Sequence, residues 1–281
     1  MPETQRANRE QAALWNEGAG KAWVEMQGIL DSMLAPFTSV LIEHAVDDAT
    51  RRVLDVGCGA GSTTLSVARR LGAGGSCLGL DISATLIAAA KAHATRQGLD
   101  NATFVQADAQ THAFEPGGFD AVISRFGVMF FDDPETAFTN LRRAARSDAT
   151  LAFVAWRGPA ENPFMTTAAR AAAPFLPSLP APNPNGPGQF GFADPDRVRA
   201  ILQASGWKSI DIGPVDVPAQ LAQQDLLAYV TRLGPVGLAL KEVDEQTRVQ
   251  VTAAVRSAFD PFVQDGAARF NTACWLVQAR A

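Results

Sequence analysis

The sequence predicts an α/β fold, a parallel sheet with helices on both faces. Two observations carry this. From Arg51 onward, short apolar runs alternate with stretches of helical period, and parallel neighbours need such crossovers. A glycine-rich turn, Gly57-x-Gly59-x-Gly61, follows the first apolar run and precedes the first helix-like one. The 281 residues are 47% hydrophobic and 19% charged, enough for a substantial core.

The elements follow in order. The first 50 residues read as helices, Gln5 to Asn16 and Asp31 to Ala45, with Trp15 and Trp23 around a break at NEGAGK. RVLDVG is a short strand and STTLSVARRL a helix. SCLGLDI is the second strand, and the alanine-rich helix after it has Ser83 as N-cap and Gly98 as stop. ATFVQAD and FDAVISR are the third and fourth strands, followed by a helix from Pro134 to Arg146 and the strand TLAFVAW. Right-handed crossovers place the C-terminal ends of these strands along one edge, where ligands bind.

Past Trp156 the pattern changes. A helix from Pro163 to Ala173 leads into a proline-rich tract that suits neither helix nor interior strand. We read residues 174–193 as a cover over the site. Asp194 caps a further helix, KSIDIGPVDV is a strand, two helices fall between Gln223 and Phe262, and NTACWLVQAR closes the chain as an edge strand. The expected organisation is a helical cap (1–50), a cofactor-binding core (51–160), and a completing segment (161–281) with a helical lid insertion at 218–270.

The net charge of −5 gives no footprint for nucleic acid. No apolar stretch reaches membrane-spanning length, and the polar N-terminus lacks a signal-peptide core. Three scattered cysteines show no metal spacing, so no metal is expected. These features point to a cytoplasmic protein.

Which cofactor the glycines serve is decided by their neighbours. A dinucleotide turn needs a third glycine where this chain has Ser62, and Asp55 would repel a pyrophosphate. No Gly-Lys-Ser/Thr follows, which removes the P-loop. A positively charged, amino-acid-like end suits Asp55, and S-adenosylmethionine has one. Its ribose needs an acidic acceptor at the end of the second strand, where Asp81 stands, with Ile82 placed against the adenine. The adenine needs an acceptor and a backbone donor, which Asp108 and Ala109 supply. Cys58 is small filler within the turn and counts with it among the expected cofactor-binding residues.

In combination, VLDVGCGAG, GLDIS, ADAQ and FDAVISRFGVMFFDDPETAFTNLRR resemble the motifs of class I S-adenosylmethionine-dependent methyltransferases of the ubiquinone/menaquinone-biosynthesis type. The resemblance covers residues 51–156. It implies a Rossmann-like seven-stranded sheet whose last strand, around Ala273 to Ala279, is antiparallel. It also implies cofactor contacts at Asp55, Gly57, Gly59, Asp81, Ile82, Asp108 and Ala109, with backbone from Ser124 or Arg125.

Methyl transfer is an in-line displacement that asks mainly for positioning. SRFG stands where methylases of planar amino groups carry Asn/Asp-Pro-Pro-Tyr/Phe, so the expected acceptor is a small, aromatic or largely apolar molecule, methylated on oxygen, carbon or a secondary nitrogen, the first two favoured. Candidate acceptor-binding residues are Trp23, Arg125, Phe126, Met129, Trp156 and Asn162, among an apolar block that includes Phe130 and Phe131. Arg125 holds either an anionic acceptor or a salt bridge to Asp132 or Asp133. His112 is a weak candidate base. His44 and His93 read as helix surface, and Tyr229 as core. Displacement leaves no obligatory catalytic signature, so a non-catalytic S-adenosylmethionine-binding regulator or scaffold stays open, with a nicotinamide dehydrogenase third. Whether the late helices form a lid or a homodimer face is also open.

Overall fold

The computed structural model describes residues 8–177, 179 and 186–281. Three helices, α1 (Arg9–Asn16), α2 (Gly18–Glu25) and α3 (Gln27–Ala45), lead into β1 (Arg52–Val56), α4 (Ser62–Leu71), β2 (Ser76–Asp81) and α5 (Ala84–Gln97). Then come β3 (Ala102–Gln106), β4 (Phe119–Arg125), α6 (Pro134–Ala144), β5 (Ala145–Trp156), α7 (Pro163–Ala172) and α8 (Pro195–Ala204). The chain closes through β6 (Lys208–Ala222), α9 (Gln223–Arg232), α10 (Gly234–Ala239), α11 (Glu245–Ala258), β7 (Val263–Gln264) and β8 (Ala267–Arg280).

One sheet runs in the order β3-β2-β1-β4-β5-β8-β6, with the two-residue β7 paired to β8. The first five strands are mutually parallel, and β8 runs antiparallel to both β5 and β6. Helices on both faces explain the near-continuous burial of β1 and of the last six residues of β5. The helix starts expected at Ser83 and Asp194 are real caps, the side chains accepting from the amides of Leu86 and of Asp196 and Arg197. Each such cap is worth about 1 kcal/mol.

Several expectations need correction. The closing strand β8 is interior, between β5 and β6, and not an edge. The edge is β6, which continues through Pro218 to Ala222. A proline costs no ladder hydrogen bond when its missing N–H would face away from the neighbouring strand, so Pro214 and Pro218 are tolerated there. The break at NEGAGK is the single residue Glu17, between the end of α1 and the start of α2 at Gly18. A Cβ on Gly20 would lie 1.9 Å from the carbonyl oxygen of Trp15, so glycine lets α2 fold tightly back on α1. Three helices, not two, occupy the late segment.

Within the expected cover, residues 178 and 180–185 lie outside the described residues. The remainder is anchored: Gly188 N–H donates to the Met129 carbonyl at 3.0 Å, and Phe192 is buried against Phe138 and Phe153. The N-terminal helices are tied to the sheet edge with similar firmness. Asn16 Oδ1 accepts from the amide of Ala84 at 2.8 Å, and the Ser83 hydroxyl donates to the Trp15 carbonyl at 2.7 Å. On the other side, α3 packs fully buried Phe37 and Leu41 beneath β4 and β5.

Candidate active site

The strand order reverses at β1, whose neighbours are β2 on one side and β4 on the other. Chain connections leave in opposite directions there and open a crevice at the strand ends. A cavity of about 540 Å³ occupies it. Its floor is the glycine turn, its walls are the ends of β2, β4 and β5, and α1 to α3, α9 and α10 close it.

The turn is shaped by close backbone approach. A Cβ on Gly57 would lie 2.6 Å from the Cα of Gly127, so the loops after β1 and β4 can touch only as glycines. Gly59 has φ +55°, and its missing side chain faces nothing nearer than the Trp23 indole nitrogen at 3.8 Å. That open side leaves backbone accessible to a ligand. Gly59 N–H donates to Oδ2 of Asp81 at 2.8 Å, and Ser83 N–H to Oδ1 at 2.9 Å. Burial pushes the Asp81 carboxyl above its ordinary value while these amides pull it back. Each oxygen keeps a lone pair for a further donor.

Ile82, Asp108 and Ala109 line the same end of the cavity. One oxygen of Asp108 accepts from Asn8 Nδ2 and from the Gln110 amide, each at 2.9 Å. Asn8 also accepts from the amide of Asp132 at 3.0 Å, so the start of α1 is stitched over this end.

The opposite end is aromatic. Phe126 stacks on Trp156 with centroids 4.2 Å apart and planes at 6°, and Phe37 meets Phe126 edge-on at 5.1 Å. Phe126 holds φ +62°, a strained conformation for a bulky residue, and it persists because this stack fixes it. Met129 lines the cavity while its sulfur accepts from the Trp156 amide. Arg125 is buried there, donating to Thr38 Oγ1 at 3.0 Å and pairing with Asp31 at 3.6 Å. Its ion-pair partner is thus Asp31 of α3, not Asp132 or Asp133.

Trp23, Gly57, Gly59, Asp81, Ile82 and Asp108 therefore share one cavity, as do Ala109, Arg125, Phe126, Met129 and Trp156. The other sequence candidates do not reach it. Asp55 is sealed behind the turn, with Thr64 donating to one oxygen at 2.6 Å and the other oxygen unpartnered. Burial raises its carboxyl to about 6, against the pull of Thr64 and of Arg125. The Cys58 thiol is buried and pushed up, and Ser124 Oγ is spent on Val56 O and Gly127 N. Asn162 is a buried clamp, exchanging two hydrogen bonds of 2.9 Å with the backbone of Ala273. His112 packs edge-on against Phe114, away from the cavity. His93 is half-buried, its ring bonded to the Ala60 carbonyl and to Gln27, instead of lying on the helix surface.

Sequence reasoning missed Trp15, Leu30, Met33, Leu34, Met165 and Leu238, and it placed Tyr229 in the core. The Tyr229 ring is half-buried and lines the cavity. These residues come from helices far apart in sequence, and no local pattern marks one of their faces as a cavity wall.

Fold and site together make a Rossmann-like domain with a crevice at the point where its strand order reverses. Residues 53–148, the segment that carries the glycine turn and the acidic strand ends, match the family model of a methyltransferase domain. Nocamycin O-methyltransferase of Saccharothrix syringae is 29% identical over 142 residues, 49% of this chain and 50% of its own length. Aklanonic acid methyltransferase of Streptomyces sp. (strain C5) is 34% identical over 98 residues, 35% of this chain and 44% of its own. The chain thus spans about half the length of the curated relatives it matches. The crystal structure of the YcgJ protein of Bacillus subtilis superposes with a TM-score of 0.58, covering 88% of this chain and 98% of that one at 19% identity. That likeness establishes a shared fold. Among the described residues, no helix is long and apolar enough to cross a membrane, and no cluster of metal-ligating side chains is present.

Proposed function

We propose that this chain transfers a methyl group from S-adenosylmethionine to a small, largely apolar or aromatic acceptor, releasing S-adenosylhomocysteine. One observation carries the reading: Asp81, Asp108 and the open backbone of Gly59 border one end of a cavity whose other end is aromatic. In this reading the Asp81 carboxylate accepts the ribose hydroxyls and Ile82 packs on the adenine face. Asp108 accepts from the adenine amino group while Ala109 offers its backbone amide. Bound S-adenosylmethionine supplies a methyl carbon already activated by the sulfonium, so the chain's own work is to orient the acceptor and exclude water. Helices α1, α2, α9 and α10 act as the lid. The buried, unpaired Cys58, Cys77 and Cys274 suit a reducing cytoplasmic setting.

Transfer to oxygen is favoured by the absence of the Asn/Asp-Pro-Pro-Tyr/Phe segment after β4 and by the name of the nocamycin relative. The test is to incubate the protein and S-adenosylmethionine labelled on its methyl group with metabolite extracts. A labelled small molecule formed only with active protein is expected. Tight binding of S-adenosylmethionine with no labelled product across broad extracts would support a regulatory binding protein instead.

A further inference from the structure

The acceptor end of the cavity contains a cation but no group able to take a proton. Among the described residues, the cavity wall has no histidine, lysine, glutamate or cysteine. Asp81 and Asp108 stand at the adenosine end, each tied to backbone amides. The Tyr229 phenol is pushed up to about 12 by burial, so it keeps its proton near neutral pH. Arg232 lies at the rim beside Glu25.

Arg125 differs from Arg232. Its side chain is 9% exposed, and among the described residues its five N–H donors meet the Thr38 hydroxyl and, at longer range, the Asp31 carboxylate. Asp31 sits 3.6 Å away, an ionic contact beyond hydrogen-bond range, and its own side chain is 32% exposed. Asp31 can therefore turn to water when a better-placed anion arrives. Phe126, Trp156, Met33 and Leu34 line the same cavity as Arg125 and give it apolar walls, which strengthens attraction to an anion.

We propose that Arg125 is the docking group for an acceptor that enters already ionised, an oxyanion such as a carboxylate or an acidic phenolate on an apolar body. The proposal rests on the methyl-transfer reading and deepens it. The acceptor oxygen forms its bond to the methyl carbon as the S–CH3 bond breaks. That bond's electron pair passes to sulfur, which ends as a neutral thioether. No proton is released, so the lack of a base at this end is no defect. Asp31 is a positioning residue that holds Arg125 until the acceptor displaces it.

Calorimetry on the protein loaded with S-adenosylhomocysteine tests this, with 2-naphthoate as the anionic probe and 2-naphthalenemethanol as its neutral counterpart. The unaltered protein is expected to prefer naphthoate by about tenfold or more. Arg125→Gln should abolish the preference, Arg125→Lys should keep part of it, and Asp31→Asn should enlarge it several-fold. The lysine and asparagine variants keep a cation in place and read out the idea even if the glutamine variant folds poorly. Equal binding of the two probes to the unaltered protein, or a preference that survives Arg125→Gln, would overturn the proposal. The methyl donor also carries a carboxylate. If Arg125→Gln weakened S-adenosylhomocysteine tenfold but spared 5′-methylthioadenosine, which lacks that carboxylate, Arg125 would serve the donor and the acceptor assignment would fall. Failure of the unaltered protein to bind S-adenosylhomocysteine would contradict the methyl-transfer reading itself, while naphthoate selectivity of the unloaded protein would still report on Arg125.

Discussion

The backbone amide of Gly59 donates to the Asp81 carboxylate at 2.8 Å, which joins the turn after β1 and the end of β2 into one floor. The residue that leaves room for a ligand and the residue that would grip its ribose are thereby held in fixed relation. This coupling gives each change around the floor a distinct expected effect.

Asp55 makes stability depend on pH. Its folded carboxyl stands at about 6 against an ordinary 3.8, so the native state binds a proton that the unfolded chain has lost between those values. Stability therefore falls as pH rises through that window and stays lowered above it. A rise of about two units is worth about 3 kcal/mol. Asp55→Asn removes this term, so urea denaturation should find the variant gaining on the parent by up to that amount between about pH 4 and pH 7. A pH-independent difference would refute the assignment.

Asn162 is a structural clamp, and its loss should show in stability alone. Asn162→Ala removes both bonds to Ala273, whose amide loses its partner while its carbonyl keeps the Arg157 amide at 3.0 Å. A loss of about 2–4 kcal/mol is expected from two such bonds. Affinity for S-adenosylhomocysteine, corrected for the folded fraction, should stay within about twofold, because the side chain does not reach the cavity.

Trp23 stands over Gly59, with Trp15 edge-on to it at 5.9 Å. Trp23→Ala should weaken S-adenosylmethionine by about tenfold, chiefly through faster release, as water enters the floor. Stopped-flow displacement measures this directly, and an unchanged release rate would remove Trp23 from the lid.

The core of the fold was legible because each cue was local. Apolar runs of strand length, caps at Ser83 and Asp194, and an aspartate at the end of each of β1, β2 and β3 lie within a few residues of the structure they specify. The misses have non-local causes. β8 gains its interior place only by pairing with β6, a strand whose prolines mimic a stop signal. Tyr229 and Trp15 share the cavity although α9 and α1 are distant in sequence, and no periodicity reports such a meeting. Asn162 was expected to face the acceptor, and the partner that claims its side chain, Ala273, is 111 residues away. Burial decided against Asp55 as a direct contact, since its sequence position looks the same whether the carboxylate faces the ligand or the core.

The central claim is that the floor formed by Gly59 and Asp81 binds S-adenosylmethionine, and calorimetry on the protein and on Asp81→Ala tests it most directly. The parent is expected to bind S-adenosylmethionine but not NAD. The variant is expected to lose at least about tenfold, from the two ribose hydrogen bonds and the freed Gly59 amide. Binding of NAD alone, or full S-adenosylmethionine affinity in Asp81→Ala, would contradict the claim.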